Sequence, residues 1–153
     1  MAENIEILLE DVLIPEVMVL LSTLNAESKL QYYRTTLDES ENLQLPSLLE
    51  LKQRFESASN SYFYFRFSSF RLLKLQLPEA GIQVHKYDNS YDLSIDFPES
   101  HFDKLGISIA DLQNSVRILA DDLNAKMYCC GYEPVFNLDT RFFTNTELGP
   151  LSI

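Results

Sequence analysis

The sequence predicts a single α+β domain over residues 1–153, built on a mainly antiparallel sheet with about three helices packed against it. Three observations support this. Strand-type alternation clusters in mid-chain, in Tyr62–Phe67 and Ile82–Phe97. Apolar stripes at helical spacing flank that cluster on both sides. The chain is 46% hydrophobic and carries 10 Phe and 8 Tyr, so it can bury one sizeable core at this length.

The elements follow in chain order. Ile5–Leu9 reads as a short first strand, and Pro15 suits the first turn of a helix whose stripe is Val17, Leu20, Leu21 and Leu24. Leu30–Thr36 is strand-like. The polar run Asp38–Asn42 reads as an exposed loop. Ser47 and Glu50 have capping-box spacing, opening a helix with Leu48, Leu51 and Phe55 on one side and an end near Ser59-Asn60. In the next strand Phe63, Phe65 and Phe67 share one face, and Tyr62, Tyr64 and Arg66 the other. Phe70–Leu77 fits a strand and a helix equally, with Pro78 and Gly81 ending it either way.

Ile82–Phe97 is a hairpin whose register can be derived. A two-residue turn at Asp88-Asn89 pairs Val84 with Leu93 and Ile82 with Ile95, and sets His85 opposite Asp92. A three-residue turn would oppose Val84 to Ser94 and mismatch the faces. Ser108 and Asp111 cap the last long helix, whose buried stripe is Leu112, Val116, Leu119 and Leu123. Met127–Tyr132 is the final strand, broken by Glu133-Pro134, and Asp139–Thr144 reads as a tail. In that tail Asp139 and Arg141 suit a structural ion pair or anchor; the alternative is that Arg141, Phe142 and Phe143 dock against another chain.

Charge narrows the function. The net charge is −11, with −7 in residues 1–60, −1 in residues 61–110 and −3 in residues 111–153. No basic cluster exists, which argues against nucleic acid and anionic membranes as partners. The partner type such a field attracts is a basic protein. The N-terminal segment holds Glu3, Glu6, Glu10 and Asp11, with no basic leader, and Val17–Leu21 is far too short to span a membrane. Cys129 and Cys130 are adjacent, a spacing that disfavours a disulfide, so a reducing, cytoplasmic setting is expected.

Tests for chemistry return little. With 4 glycines there is no dinucleotide or phosphate-binding loop, and no nucleophile elbow. His85, Asp92, Asp96, His101 and Asp103 form the one constellation with metal-ligand chemistry. Yet Asp92 and Asp96 sit about 13 Å apart along one strand, so His85 and Asp92 read better as a cross-strand surface contact. Glu133 beside Tyr128, Tyr132 and the thiols is a candidate base without a visible acid or oxyanion donor. Cys129 as a nucleophile would need a histidine brought to it by the fold. No catalytic, cofactor or metal residue is therefore assigned.

The stretches Leu119-Ala-Asp-Asp-Leu123, Tyr128-Cys-Cys-Gly-Tyr-Glu-Pro134 and Asp139-Thr-Arg-Phe-Phe-Thr144 resemble the ending of small acidic immunity proteins of bacterial polymorphic toxin systems. The similarity covers about a quarter of the chain and implies a non-catalytic protein that binds a cognate toxin domain and blocks its active site. Such families share no single set of contact residues, so none is carried over. The expected interface comes from charge and exposure instead: Asp38, Glu39, Glu41, Tyr62, Tyr64 and Arg66. The alternative expectation is a self-associating accessory domain, with the Tyr62/Tyr64/Arg66 face forming a homodimer.

Overall fold

The computed structural model describes residues 3–36, 38–42, 46–57, 59–135 and 137–151; for residues 38–42 and Leu48 the backbone alone is described. In chain order the elements are β1 (Asn4–Glu10), α1 (Ile14–Glu27), β2 (Lys29–Thr35), β3 (Asp38–Asn42), α2 (Leu48–Glu56), β4 (Asn60–Leu72) and β5 (Leu75–Tyr87). They continue with β6 (Ser90–Pro98), α3 (Glu99–Leu105), α4 (Ile109–Leu123), β7 (Met127–Tyr132), a 3-10 turn (Leu138–Thr140) and β8 (Arg141–Thr144). The described strands form one antiparallel sheet of 8 strands in the order β3-β2-β4-β5-β6-β1-β7-β8. The α+β reading holds, with a fourth helix, α3, beyond the three expected.

One face of the sheet is the core. Tyr33, Phe65, Ile82, Ile95, Ile7, Cys130 and Phe143 are successive register partners on seven strands, and all are buried. α1 lies against β2 and β4, α3 against β5 and β6, and α4 against β7, while α1 also meets α2 and α4. Phe55 of α2 packs on Phe63 with ring centroids 4.4 Å apart. Each such fully buried aromatic or branched side chain contributes about 1.5–3 kcal/mol of transfer free energy.

The local chemistry behind these elements is largely that of the sequence. Pro15 sits in the first turn of α1, whose buried residues are Val17, Met18, Leu20, Leu21 and Leu24. The Ser108/Asp111 capping box forms in both directions at α4. At α2 only one half is seen: Ser47 Oγ accepts from the Glu50 amide at 3.2 Å, while Glu50 Oε1 accepts from Arg54 at 3.0 Å. α2 ends at Glu56, short of Ser59-Asn60, because Asn60 already opens β4 opposite Tyr87. The β5–β6 hairpin has the derived register, with Val84 opposite Leu93, Ile82 opposite Ile95 and His85 opposite Asp92.

Four expectations are corrected. Asp38–Asn42 is not a loop but the edge strand β3, pairing Thr35 with Asp38 and Tyr33 with Asn42. Acidic side chains are tolerated, and useful, on a sheet edge, where charge discourages unwanted strand addition. Phe70–Leu77 is neither one strand nor a helix: it is the tip of a hairpin that closes on Leu73-Lys74 with Leu72 opposite Leu75. Leu73 takes a positive φ of 54° there. Pro78 and Gly81 do not end this segment but lie within β5; β6 pairs with β5 only from Gly81 onward, so Pro78 falls where that side of β5 has no strand beside it. α3 went unpredicted because its 7 residues bury only Phe102; its signals were Pro98 before it and Gly106, with φ 70°, after it. Arg141–Thr144 is the edge strand β8, not a tail. Its Phe142-Phe143 doublet hides the alternation, because the ladder shifts register between Cys130 and Gly131.

Candidate functional site

Among the described residues, no helix lies on the second face of the sheet over β2, β4, β5 and β6. Tyr62, Tyr64 and Arg66 project from this face of β4, as their alternation with three buried phenylalanines requires. The ladder sets Arg34 beside Tyr64, Tyr32 beside Arg66, Tyr64 beside Gln83 and Tyr62 beside His85. Tyr32, Arg34, Tyr62, Tyr64 and Gln83 line a depression of about 510 Å³. The Tyr32 and Tyr64 rings lie 6.3 Å apart, and the Arg34 guanidinium sits 4.9 Å from the Tyr32 centroid. Arg66 donates to the Tyr64 hydroxyl at 3.2 Å and pairs with Glu79 at 2.9 Å. Burial raises the Tyr64 pKa, so the phenol stays neutral.

Of the six expected interface residues, Tyr62, Tyr64 and Arg66 are thus brought together. Asp38, Glu39 and Glu41 lie on β3, separated from β4 by β2, and their side chains fall outside the described atoms. Tyr32 and Arg34 were not expected; the strand-like run around them was legible, but not which neighbour it joins.

Sequence reasoning also missed the acidic centre of this face. The register aligns Tyr32, Arg66, Gly81, Asp96 and Glu6 across β2, β4, β5, β6 and β1, with Gly131 of β7 next in line. Gly81 leaves a gap over which the Tyr64 hydroxyl and the Asp96 carboxylate converge; any Cβ there would run into both. Burial raises the Asp96 pKa, and so does the negative charge of Glu133, against the pull of Arg66. Glu6 is raised by burial and by Glu133 and Asp96, although the Val135 amide donates to it at 3.3 Å. Glu10 is raised by burial and by Asp92 and Asp11.

The candidates for catalysis are dispersed. The Asp92 carboxylate accepts from the Tyr87 hydroxyl at 2.6 Å and the Asp11 amide at 3.0 Å, while His85 packs edge-on against Tyr87 at 5.4 Å. His101 and Asp103 lie on α3, on the helical side of the sheet. Among the described residues no group of three or more His, Cys, Asp or Glu is placed to hold a metal ion. Glu133 is exposed and accepts from the Asn4 amide at 3.2 Å. Both cysteines are free and buried. Burial lifts the Cys129 thiol to about 11 and also raises that of the fully buried Cys130, so both are poor nucleophiles at neutral pH. Arg141 anchors the chain by donating from Nε to the Val135 carbonyl at 3.0 Å. Phe142 and Phe143 are buried, which removes them as docking residues.

Comparison with known proteins converges on one assignment. No curated protein sequence matches the chain. Its fold superposes with a TM-score of 0.82, at 27% identity and over 99% of both chains, on a chain from the crystal structure of the toxic C-terminal tip of CdiA from Pseudomonas aeruginosa in complex with immune protein. The family model of the PABL017 Cdi1I immunity proteins matches residues 3–148. With nearly its whole length matched, this chain belongs to the PABL017 Cdi1I immunity protein family.

Proposed function

We propose that this chain neutralises the toxic C-terminal tip of a CdiA-type protein by binding it and covering its working surface, without catalysing a reaction. The observation that carries the reading is the family match over residues 3–148. The structural likeness to a chain from a toxin–immune protein complex agrees with it. The interface is the helix-free sheet face at the β3–β2–β4 end. Tyr62, Tyr64 and Arg66, joined by Tyr32 and Arg34, supply the aromatic and guanidinium anchors that dominate protein interfaces. Asp38, Glu39 and Glu41 stand on the edge strand β3 beside it and add negative charge that suits a partner of net positive charge. The net charge of −11 supports electrostatic steering toward such a partner. We place the protein in the cytoplasm, where buried free thiols persist; among the described residues no helix is long and apolar enough to cross a membrane.

The test is co-expression with the toxin tip encoded beside this gene, together with titration calorimetry of the purified pair. The expected outcome is rescued growth and a one-to-one complex whose affinity falls as salt rises. Rescue without a measurable complex, or no complex under low salt, would refute the reading.

A further inference from the structure

We propose that the toxin contact extends past the tyrosine depression onto the acidic centre of the same sheet face, where Glu6, Asp96 and Glu133 receive basic side chains of the toxin. This inference rests on the immunity reading and adds to it the chemistry of the partner's docking segment.

Geometry is the first support. Asp96 and Glu6 are direct register partners on β6 and β1, and Glu133 follows the end of β7, the strand on the other side of β1. Neighbouring strands lie about 4.8 Å apart, so the carboxylates stand side by side without the inward convergence a metal ion needs. Among the described residues, the basic group that acts on Asp96 is Arg66, and it is already held by Glu79 at 2.9 Å and by the Tyr64 hydroxyl. Glu6 and Glu133 take neutral donors, the Val135 amide and the Asn4 side chain. The segment at Val135 covers Leu8 and Cys129 beside Glu6, and like charges facing one another next to it on this helix-free face destabilise the free protein. Cations brought by a partner would relieve that repulsion.

Continuity with an aromatic hot spot is the second support, independent of charge. Tyr64 belongs to both regions: it lines the 510 Å³ depression, and its hydroxyl and the Asp96 carboxylate both close over Gly81. A lysine or arginine of the toxin reaching across this junction would find a carboxylate beside a phenol ring, which suits a cationic head on a long apolar stem. A second acidic group, Glu10, Asp92 and Asp11, flanks the junction along the strands; in it Asp11 already meets Lys126 at 3.8 Å and Arg141 acts on Glu10.

The test compares two charge-matched double variants in calorimetric titrations with the cognate toxin tip at low and high salt. One is Glu6→Gln with Asp96→Asn, on this face. The other is Glu27→Gln with Asp122→Asn, at exposed positions on α1 and α4. The first pair should weaken binding at least about tenfold and flatten the salt dependence, whereas the second should change it less than about threefold. Equal losses in both pairs would reduce the effect to net charge and overturn the inference. Unchanged affinity in the first pair, with the wild type binding normally, overturns the inference and leaves the immunity reading standing. Failure of the wild type to bind overturns both. Thermal melting accompanies each titration; should the double variant melt early, Asp96→Asn alone carries the same comparison.

Discussion

Replacing Gly81 by alanine separates the site from the fold. Gly81 does not need a positive φ, so alanine fits its backbone. In a strand interior that exchange gains about 0.5–1 kcal/mol, because glycine loses more conformational freedom on folding. The added Cβ collides with the Tyr64 hydroxyl and the Asp96 carboxylate, both far ends of movable side chains. Moving Tyr64 off its rotamer costs about 0.5–1.5 kcal/mol, and losing its bond from Arg66 about as much again. The losses outweigh the gain by about 1 kcal/mol, or about 2–4 °C in melting temperature for a domain of this size. Binding has no such compensation. With the interface placed as proposed, displacing Tyr64 together with the neighbouring Asp96 should cost about 2 kcal/mol or more, roughly a thirtyfold rise in Kd. Differential scanning calorimetry and titration against the toxin tip read the two quantities. An unchanged Kd would refute the placement of the interface, and a melting temperature lowered by more than about 10 °C would refute the claim that the collision is with yielding side chains.

Other expectations concern the fold and its titration. Lys86 is 7% exposed and donates to the Phe55 carbonyl at the end of α2 at 2.6 Å; Lys86→Met should destabilise by about 1–3 kcal/mol, seen as a lower urea midpoint. Gly131→Ala is the counterpart to the Gly81 exchange: its Cβ would strike the Thr140 carbonyl and Arg141 Cα, which are backbone, so a loss of about 2 kcal/mol or more is expected in the same assay. Ser108→Ala removes half of the α4 capping box and should cost about 1 kcal/mol, with no change in toxin affinity. Glu6 and Asp96 have folded-state pKa values raised above 4.5 and 3.8, so the folded state holds more protons than the unfolded one just above those values. Stability contributed by these two groups therefore rises as pH falls from neutrality through their raised pKa values; Glu6→Gln with Asp96→Asn should remove that slope from a pH series of melting temperatures.

What was legible in the sequence was local. The alternation of Phe63, Phe65 and Phe67 with Tyr62, Tyr64 and Arg66 gave both faces of β4, and turn length alone gave the β5–β6 register. The α1 and α4 stripes followed from helical spacing in the same way. What was hidden depends on non-local pairing. β1 inserts between β6 and β7, and no spacing in residues 4–10 says so. Only that insertion sets Glu6 beside Asp96 and brings Glu133 near, so the acidic centre appears as scattered surface carboxylates in one dimension. Edge strands were hard for a different reason. β3 is polar because it is an edge, and β8 carries two adjacent phenylalanines across a register shift, so neither shows the period-two signature of a half-buried strand.

The place of β1 also orders events during synthesis. β1 finds its partners in residues 93–98 on one side and 127–132 on the other, all far along the chain from it. Until most of the polypeptide has emerged, Ile5, Ile7 and Leu9 have no ladder to join, and contacts this distant in sequence form slowly. Closure of the sheet centre therefore waits on residues 93–98 and 127–132, so β1 completes both of its ladders late in folding.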